Sequence, residues 1–180
     1  MHINKSIVPI IETNSNRQMN IFRKRRMKPI INSFYIILID QLSKVLILNT
    51  LGFERSKNII PNLLNFSLVK NKGAAFSLFS NSTSLLTLIS VLTTLIIILI
   101  LLMYPPKSFW NLMGLTYLLG GTIGNGIDRF LKGYVLDFIQ LVPINFPIFN
   151  VADVSINIAI FCFIINSIKT EDKSRTKYKN

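Results

Sequence analysis

Histidine and cysteine are almost absent from this sequence, and their absence removes most ways of building a catalytic site. The one histidine, His2, lies in a polar stretch, and the one cysteine, Cys162, lies inside an apolar run. No zinc site can be assembled from these two residues. A Ser-His-Asp or Cys-His arrangement is equally out of reach, because His2 would have to serve as the base. No disulfide can form within the chain. Acidic residues are scarce as well, with eight Asp or Glu among 180 residues. If the chain is an enzyme, its acid–base groups are carboxylates, lysines or tyrosines. No metal and no cofactor are expected.

What is present is apolar. Half of the residues are hydrophobic and 16% are charged, which is too apolar for an ordinary soluble domain and too short for several domains. The net charge of +12 could suggest nucleic acid, but its distribution argues otherwise. Seven Lys or Arg precede residue 29 and five follow residue 168. Basic ends around apolar spans are the pattern of cytoplasmic tails on a membrane protein, so no nucleic-acid partner is expected.

The chain divides into a basic tail over 1–28, expected to be disordered, a membrane domain over 29–168, and a second basic tail over 169–180. Translation could start at Met1, Met19 or Met27. The first apolar segment carries Asp40 and Lys44 and lacks a clean small-residue cleavage site, so it reads as a retained helix rather than a signal peptide. Four spans of the length a bilayer requires are expected: about Pro29 to Leu48, Leu85 to Tyr104, Phe109 to Ile127, and Phe149 to Ile168. With the N-terminus inside, cytoplasmic segments hold thirteen Lys or Arg against six in the outer loops, which favours both termini in the cytoplasm. Residues 59–79 alternate loosely and are split by Asn71-Lys72-Gly73, which predicts a short β-hairpin at the outer surface. The expected fold is thus an all-α membrane protein with a small β element in its first outer loop.

Ionisable residues in membrane spans are costly and are functional candidates by default. Asp128, Asp137 and Asp153 all fall at the outer ends of the third and fourth helices or in the loop joining them. Asp137 and Asp153 can converge there. A close carboxylate pair shares one proton, so one member can activate water while the other protonates a carbonyl oxygen or leaving amine. The plainer alternative is that these aspartates cap helices or pair with basic residues, Asp153 with the helix dipole and Asp128 with Arg129. Asp40 and Lys44 share one face of the first helix at i, i+4 and read as a structural polar pair. Gly73 follows Asn71 where backbone must approach something closely. Gly120, Gly121, Gly124 and Gly126 suit close helix packing, and Asn125 among them requires partners. Trp110 reads as an interface anchor.

Four blocks then carry a resemblance. They are Asp40-Gln41-Leu42-Ser43-Lys44, Asn71-Lys72-Gly73-Ala74-Ala75-Phe76, Gly124-Asn125-Gly126-Ile127-Asp128-Arg129 continuing through Gly133-Tyr134-Val135-Leu136-Asp137-Phe138, and Phe149-Asn150-Val151-Ala152-Asp153. In this order, on four spans, they resemble the bacterial lipoprotein signal peptidases (signal peptidase II), an aspartic protease family, over roughly residues 30–168. The resemblance implies a four-helix transmembrane bundle with a small β-cradle. It implies an inner-membrane endopeptidase that removes the signal peptide of a diacylglyceryl-modified prolipoprotein just before the lipidated cysteine. It makes Asp137 and Asp153 the catalytic pair, with Asn71, Asn125, Asp128, Arg129, Asn150 and Ala152 around them. Sensitivity to globomycin-type inhibitors is also implied. The expected partners are the prolipoprotein and membrane lipids, with the enzyme acting as a monomer. The long basic N-terminal tail and Gly126 depart from the family pattern. Arg129 could neutralise Asp128 or support the site; sequence leaves both open. A small transporter or proton relay and a membrane scaffold are the rival readings, although a relay would spread its carboxylates over several depths.

Overall fold

A computed structural model describes residues 8–53, 55–73, 82–144 and 146–177. It contains four helices, α1 Val8–Thr50, α2 Thr83–Met103, α3 Phe109–Lys132 and α4 Val151–Lys177, and three strands, β1 Ser56–Ile60, β2 Leu64–Asn71 and β3 Val135–Leu141. Ala74, Ala75 and Phe76 of the second sequence block lie outside the described residues.

The helices follow from long apolar runs in which Pro29 is the one interior proline. Pro29 sits inside α1, where neighbouring helices can satisfy the carbonyl it leaves free. α1 extends back to Val8, so residues 8–28, expected to be disordered, are helical. Once a span is nucleated, each added residue needs only propagation, and the Arg, Lys, Gln and Met of this stretch propagate helix well. Among the described residues, three segments are long and apolar enough to cross a membrane: Arg26–Thr50, Thr83–Met103 and Val151–Glu171. α3, expected as an equal span, falls short in apolarity. It is the inner helix, packed against α1, α2 and α4, and it trades bulky apolar side chains for buried Gly114, Gly120, Gly121 and Gly124. A Cβ on Gly114 would lie 2.5 Å from the Phe163 ring, one on Gly120 2.7 Å from Ile36, and one on Gly121 2.5 Å from the Ala152 carbonyl oxygen. The glycines are there so that helices can touch.

The strands form one antiparallel sheet in the order β1-β2-β3. The hairpin expected over 59–79 is shifted. Its turn lies at Pro61-Asn62-Leu63, where Asn62 takes φ 58°, a value Asn tolerates well. Asn71-Lys72-Gly73 ends β2 instead of splitting the hairpin. β3 comes from the loop between α3 and α4, so the sheet is not confined to the first loop. Its sequence, VLDFIQL, begins buried at four successive positions and lacks the clean alternation that marks a half-exposed strand. Beneath the sheet, Leu68, Leu136 and Phe138 pack on Ile47 of α1. Farther down the bundle, Ile97 and Leu101 of α2 pack on Leu115 and Leu119 of α3. At the end of the bundle remote from the sheet, Lys169 sits over the Trp110 ring at 5.1 Å.

Candidate active site

Asp137 stands on β3 opposite Val69 of β2. Residues two apart on a strand share a face, so this register puts Asn71 diagonally beside Asp137. The Asn71 amide nitrogen donates to Asp137 Oδ2 at 2.8 Å. The amide oxygen of Asn71 accepts the Gly73 N–H at 2.9 Å, which accounts for the buried glycine two residues on.

Asp153 lies in the first turn of α4 and takes part in a capping box. The Asn150 side-chain oxygen accepts the Asp153 N–H at 3.0 Å, and Asp153 Oδ2 accepts the Asn150 N–H at 3.1 Å. The plain reading of Asp153 as a helix-capping residue is therefore true of one of its oxygens. The other, Oδ1, accepts from the Asn125 amide at 2.8 Å. The chain before α4 is hooked to β3, because the Phe149 carbonyl accepts the Phe138 and Ile139 N–H groups at 3.0 and 2.8 Å. That pairing brings Asn150 to Asp137, where its amide nitrogen donates to Oδ1 at 2.6 Å. Asn150 thus touches both carboxylates, Asp137 through its side chain and Asp153 through its backbone.

Burial and the neighbouring Asp153 charge push the Asp137 carboxyl up to about 7, against the opposing hydrogen bonds from Asn71 and Asn150 and the charge of Lys44. A carboxyl 2% exposed beside a second carboxylate resists ionisation for both reasons.

Behind the pair runs a buried chain of alternating charge. Lys44 Nζ lies 2.8 Å from Asp40 Oδ2 and 3.0 Å from Asp128 Oδ2, and all three side chains are fully buried. Lys132 closes the chain on Asp128 Oδ1 at 2.8 Å. Asp40 Oδ1 also accepts the Ala152 N–H at 2.9 Å, which ties α1 to the start of α4. Gln41 bridges Asp40 and the Gly124 carbonyl. A Cβ on Gly124 would fall 2.7 Å from Asp40 Oδ2, so the third block needs glycine there. Asp128 also accepts the Leu136 N–H at 3.3 Å and so anchors the residue before Asp137.

The structure brings together Asn71, Gly73, Asn125, Asp128, Asp137, Asn150, Ala152 and Asp153, with Asp40 and Lys44 behind them. It also places Arg129. Asp128 is paired with Lys44 and Lys132, while the Arg129 guanidinium reaches the Gly73 carbonyl at 3.4 Å. Lys132 was missed in the sequence, although its i, i+4 spacing from Asp128 on one helix was a usable signal. An apolar cavity of about 440 Å³, with walls that include Leu141, Phe149, Val154 and Phe161, lies beside the site and does not contain the pair.

The family described as Signal peptidase (SPase) II matches residues 32–169. The lipoprotein signal peptidase of Parasynechococcus marenigrum is 44% identical over 140 residues, 78% of this chain and 88% of that one. The lipoprotein signal peptidase of Streptococcus agalactiae is 41% identical over 143 residues, 79% of this chain and 92% of that one. A solved bacterial membrane enzyme superposes with a TM-score of 0.76 at 28% identity, covering 81% of this chain and 90% of its own.

Proposed function

The chain belongs to the signal peptidase II family, and from that premise we propose that Asp137 and Asp153 are its catalytic pair. The protein is a multi-pass membrane aspartic peptidase that removes signal peptides from prolipoproteins. The observation that carries the assignment of the pair is Asn150, which holds one carboxylate with its side chain and the other with its backbone.

Asp137, whose carboxyl is pushed up to about 7 by burial and the neighbouring carboxylate, is assigned as the acid of the first step. Asp153, ionised, takes a proton from a water held between the two carboxylates. The water oxygen attacks the scissile carbonyl carbon while Asp137 gives its proton to the carbonyl oxygen, leaving a neutral tetrahedral diol. Asp153 then passes its proton to the leaving nitrogen as the C–N bond breaks, and Asp137 recovers a proton from the collapsing hydroxyl. Each carboxyl ends in its starting state, so the pair turns over without a metal.

The finer reading extends the same logic. α3 is taken as a fourth span, shielded from lipid by the three helices around it. Residues 29–168 form the peptidase domain between two basic tails. Both termini lie in the cytoplasm of a bacterial inner membrane, and the sheet and the pair lie at the extracytoplasmic face. Cleavage falls just before a diacylglyceryl-modified cysteine on a substrate that arrives by lateral diffusion. The enzyme works as a monomer among membrane lipids. The test is cleavage of a diacylglyceryl-modified prolipoprotein by purified protein. Asp137→Asn and Asp153→Asn are each expected to lose roughly three orders of magnitude in rate. Full cleavage by either variant would sink the assignment.

A further inference from the structure

We propose that Lys44, on α1, is a positioning residue for Asp153, acting through the amide of Asn125. The inference rests on the reading of Asp137 and Asp153 as the catalytic pair.

Three asparagines aim a donor at the pair, and each can do so in only one of its two amide orientations. An amide has a donor end and an acceptor end. If the acceptor end faces a group that only donates, the donor end is forced toward the carboxylate. Asn71 is set this way by the Gly73 N–H, and Asn150 by the Asp153 N–H. Both orienting groups are backbone. Asn125 is different. Its oxygen faces the Lys44 ammonium at 3.1 Å and the Asn150 amide nitrogen at 3.0 Å, so its nitrogen points to Asp153 Oδ1 at 2.8 Å. The orienting charge is supplied by a side chain on another helix.

The Lys44 ammonium is complete in this role. It has three N–H groups and meets three acceptors: Asp40 Oδ2 at 2.8 Å, Asp128 Oδ2 at 3.0 Å and Asn125 Oδ1 at 3.1 Å. Lys44 is fully buried, so no water can take the place of a lost partner. Turning the Asn125 amide over would set its NH₂ against an ammonium and a second amide NH₂, and its oxygen against the Asp153 carboxylate. At low local dielectric every one of those contacts is repulsive. Asp40 and Asp128 hold Lys44 in place, and Lys44, together with the Asn150 amide, fixes what Asp153 is offered. The chain of charge that stabilises the helices therefore reaches the reacting carboxylate without touching substrate.

The test uses full-length detergent-solubilised enzyme and a diacylglyceryl-modified prolipoprotein, with kcat and KM measured separately. Asp137→Asn and Asp153→Asn run beside it; inactivity of both establishes the catalytic pair independently of Lys44. Lys44→Met removes the charge and all donors. Lys44→Gln keeps an amide for the buried carboxylates and guards against loss of folding. Each is expected to lower kcat of the folded protein roughly 10- to 100-fold, the scale of one hydrogen bond to a charged group, with KM within about twofold. In an Asn125→Ala background, neither Lys44 substitution should lower kcat further. Multiplying losses in the double variants, a loss carried by KM, or an unchanged kcat in folded Lys44→Gln would each overturn the proposal. If neither Lys44 variant folds, Asn125→Ala decides. It offers Asp153 no donor, so kcat should fall roughly 10- to 100-fold in a folded protein; retained kcat would refute the orienting role.

Discussion

At the end of the bundle away from the sheet, α2 and α3 meet through Ile97, Leu101, Leu115 and Leu119, and Gly114 receives the ring of Phe163. At the sheet end, α1, α3 and α4 meet through Asp40, Lys44, Asn125, Asp128 and the backbone of Ala152. The first contact is non-directional: any arrangement that fills the space at native density will serve. The second is directional, since each donor has its acceptor and a missing partner leaves a buried charge. Within one set of helices, the apolar end supplies cohesion, and the polar end supplies the single geometry the chemistry needs.

The sharpest way to break this comparison is to cut once into each end. Asp40→Ala strips Lys44 and the Ala152 N–H of a partner and should cost about 3–5 kcal/mol. Leu119→Ala opens a cavity and should cost about 2–5 kcal/mol. Thermal unfolding in detergent will find the two similar. Activity per folded molecule should separate them, collapsing in Asp40→Ala and holding in Leu119→Ala. A Leu119→Ala enzyme with impaired kcat would erase the distinction.

Titration is next in size and confined to the polar end. Folding raises the Asp137 carboxyl from 3.8 to about 7, so the folded protein keeps a proton that the unfolded chain releases. The stability from this residue is complete below about pH 4, falls as pH rises from 3.8 to about 7, and is level above. At about 1.4 kcal/mol per pKa unit, the fall is on the order of a few kcal/mol. Asp137→Asn should flatten that dependence and abolish activity, while its NH₂ is set against the donor of Asn71 or Asn150. Wild-type cleavage should decline as pH rises through about 7, where the acid of the first step is lost. Unfolding curves of wild type and Asp137→Asn that change in parallel between pH 4 and 7 would contradict the assignment.

The smallest effect compares two glycines of α3. Gly114→Ala meets a Phe163 ring that can turn aside, whereas Gly121→Ala meets the Ala152 carbonyl, which is backbone. Each should cost about 1–3 kcal/mol as overpacking. Only Gly121→Ala should also lower kcat, because it displaces the first turn of α4 and Asp153 with it. Equal kcat in the two variants would mean that α4 absorbs the shift without moving the site.

Much of this was legible in the sequence. The scarcity of His and Cys left carboxylates, lysines or tyrosines as acid–base groups, and the loop joining the third and fourth helices allowed Asp137 and Asp153 to meet. The i, i+4 spacing of Asp40 and Lys44 exposed their pairing. Other features were hidden for identifiable reasons. β3 lacks clean alternation because its first half is buried on both faces. The hairpin turn was misplaced because Asn71-Lys72-Gly73 has turn composition while serving to orient Asn71. The helicity of 8–28 was masked by its charge.

The amino-acid sequence by itself determined the class of this protein: apolar runs long enough for a membrane, basic ends, and an acid–base chemistry limited to carboxylates, lysines or tyrosines. These are properties of composition and spacing, which a linear chain carries whole. Tertiary structure alone decided which end of each asparagine faces which group, that Asp128 pairs with Lys44 and Lys132 rather than with adjacent Arg129, and that Asp153 both caps a helix and meets Asn125. A hydrogen bond has direction, and direction depends on where donors and acceptors from distant segments come to rest.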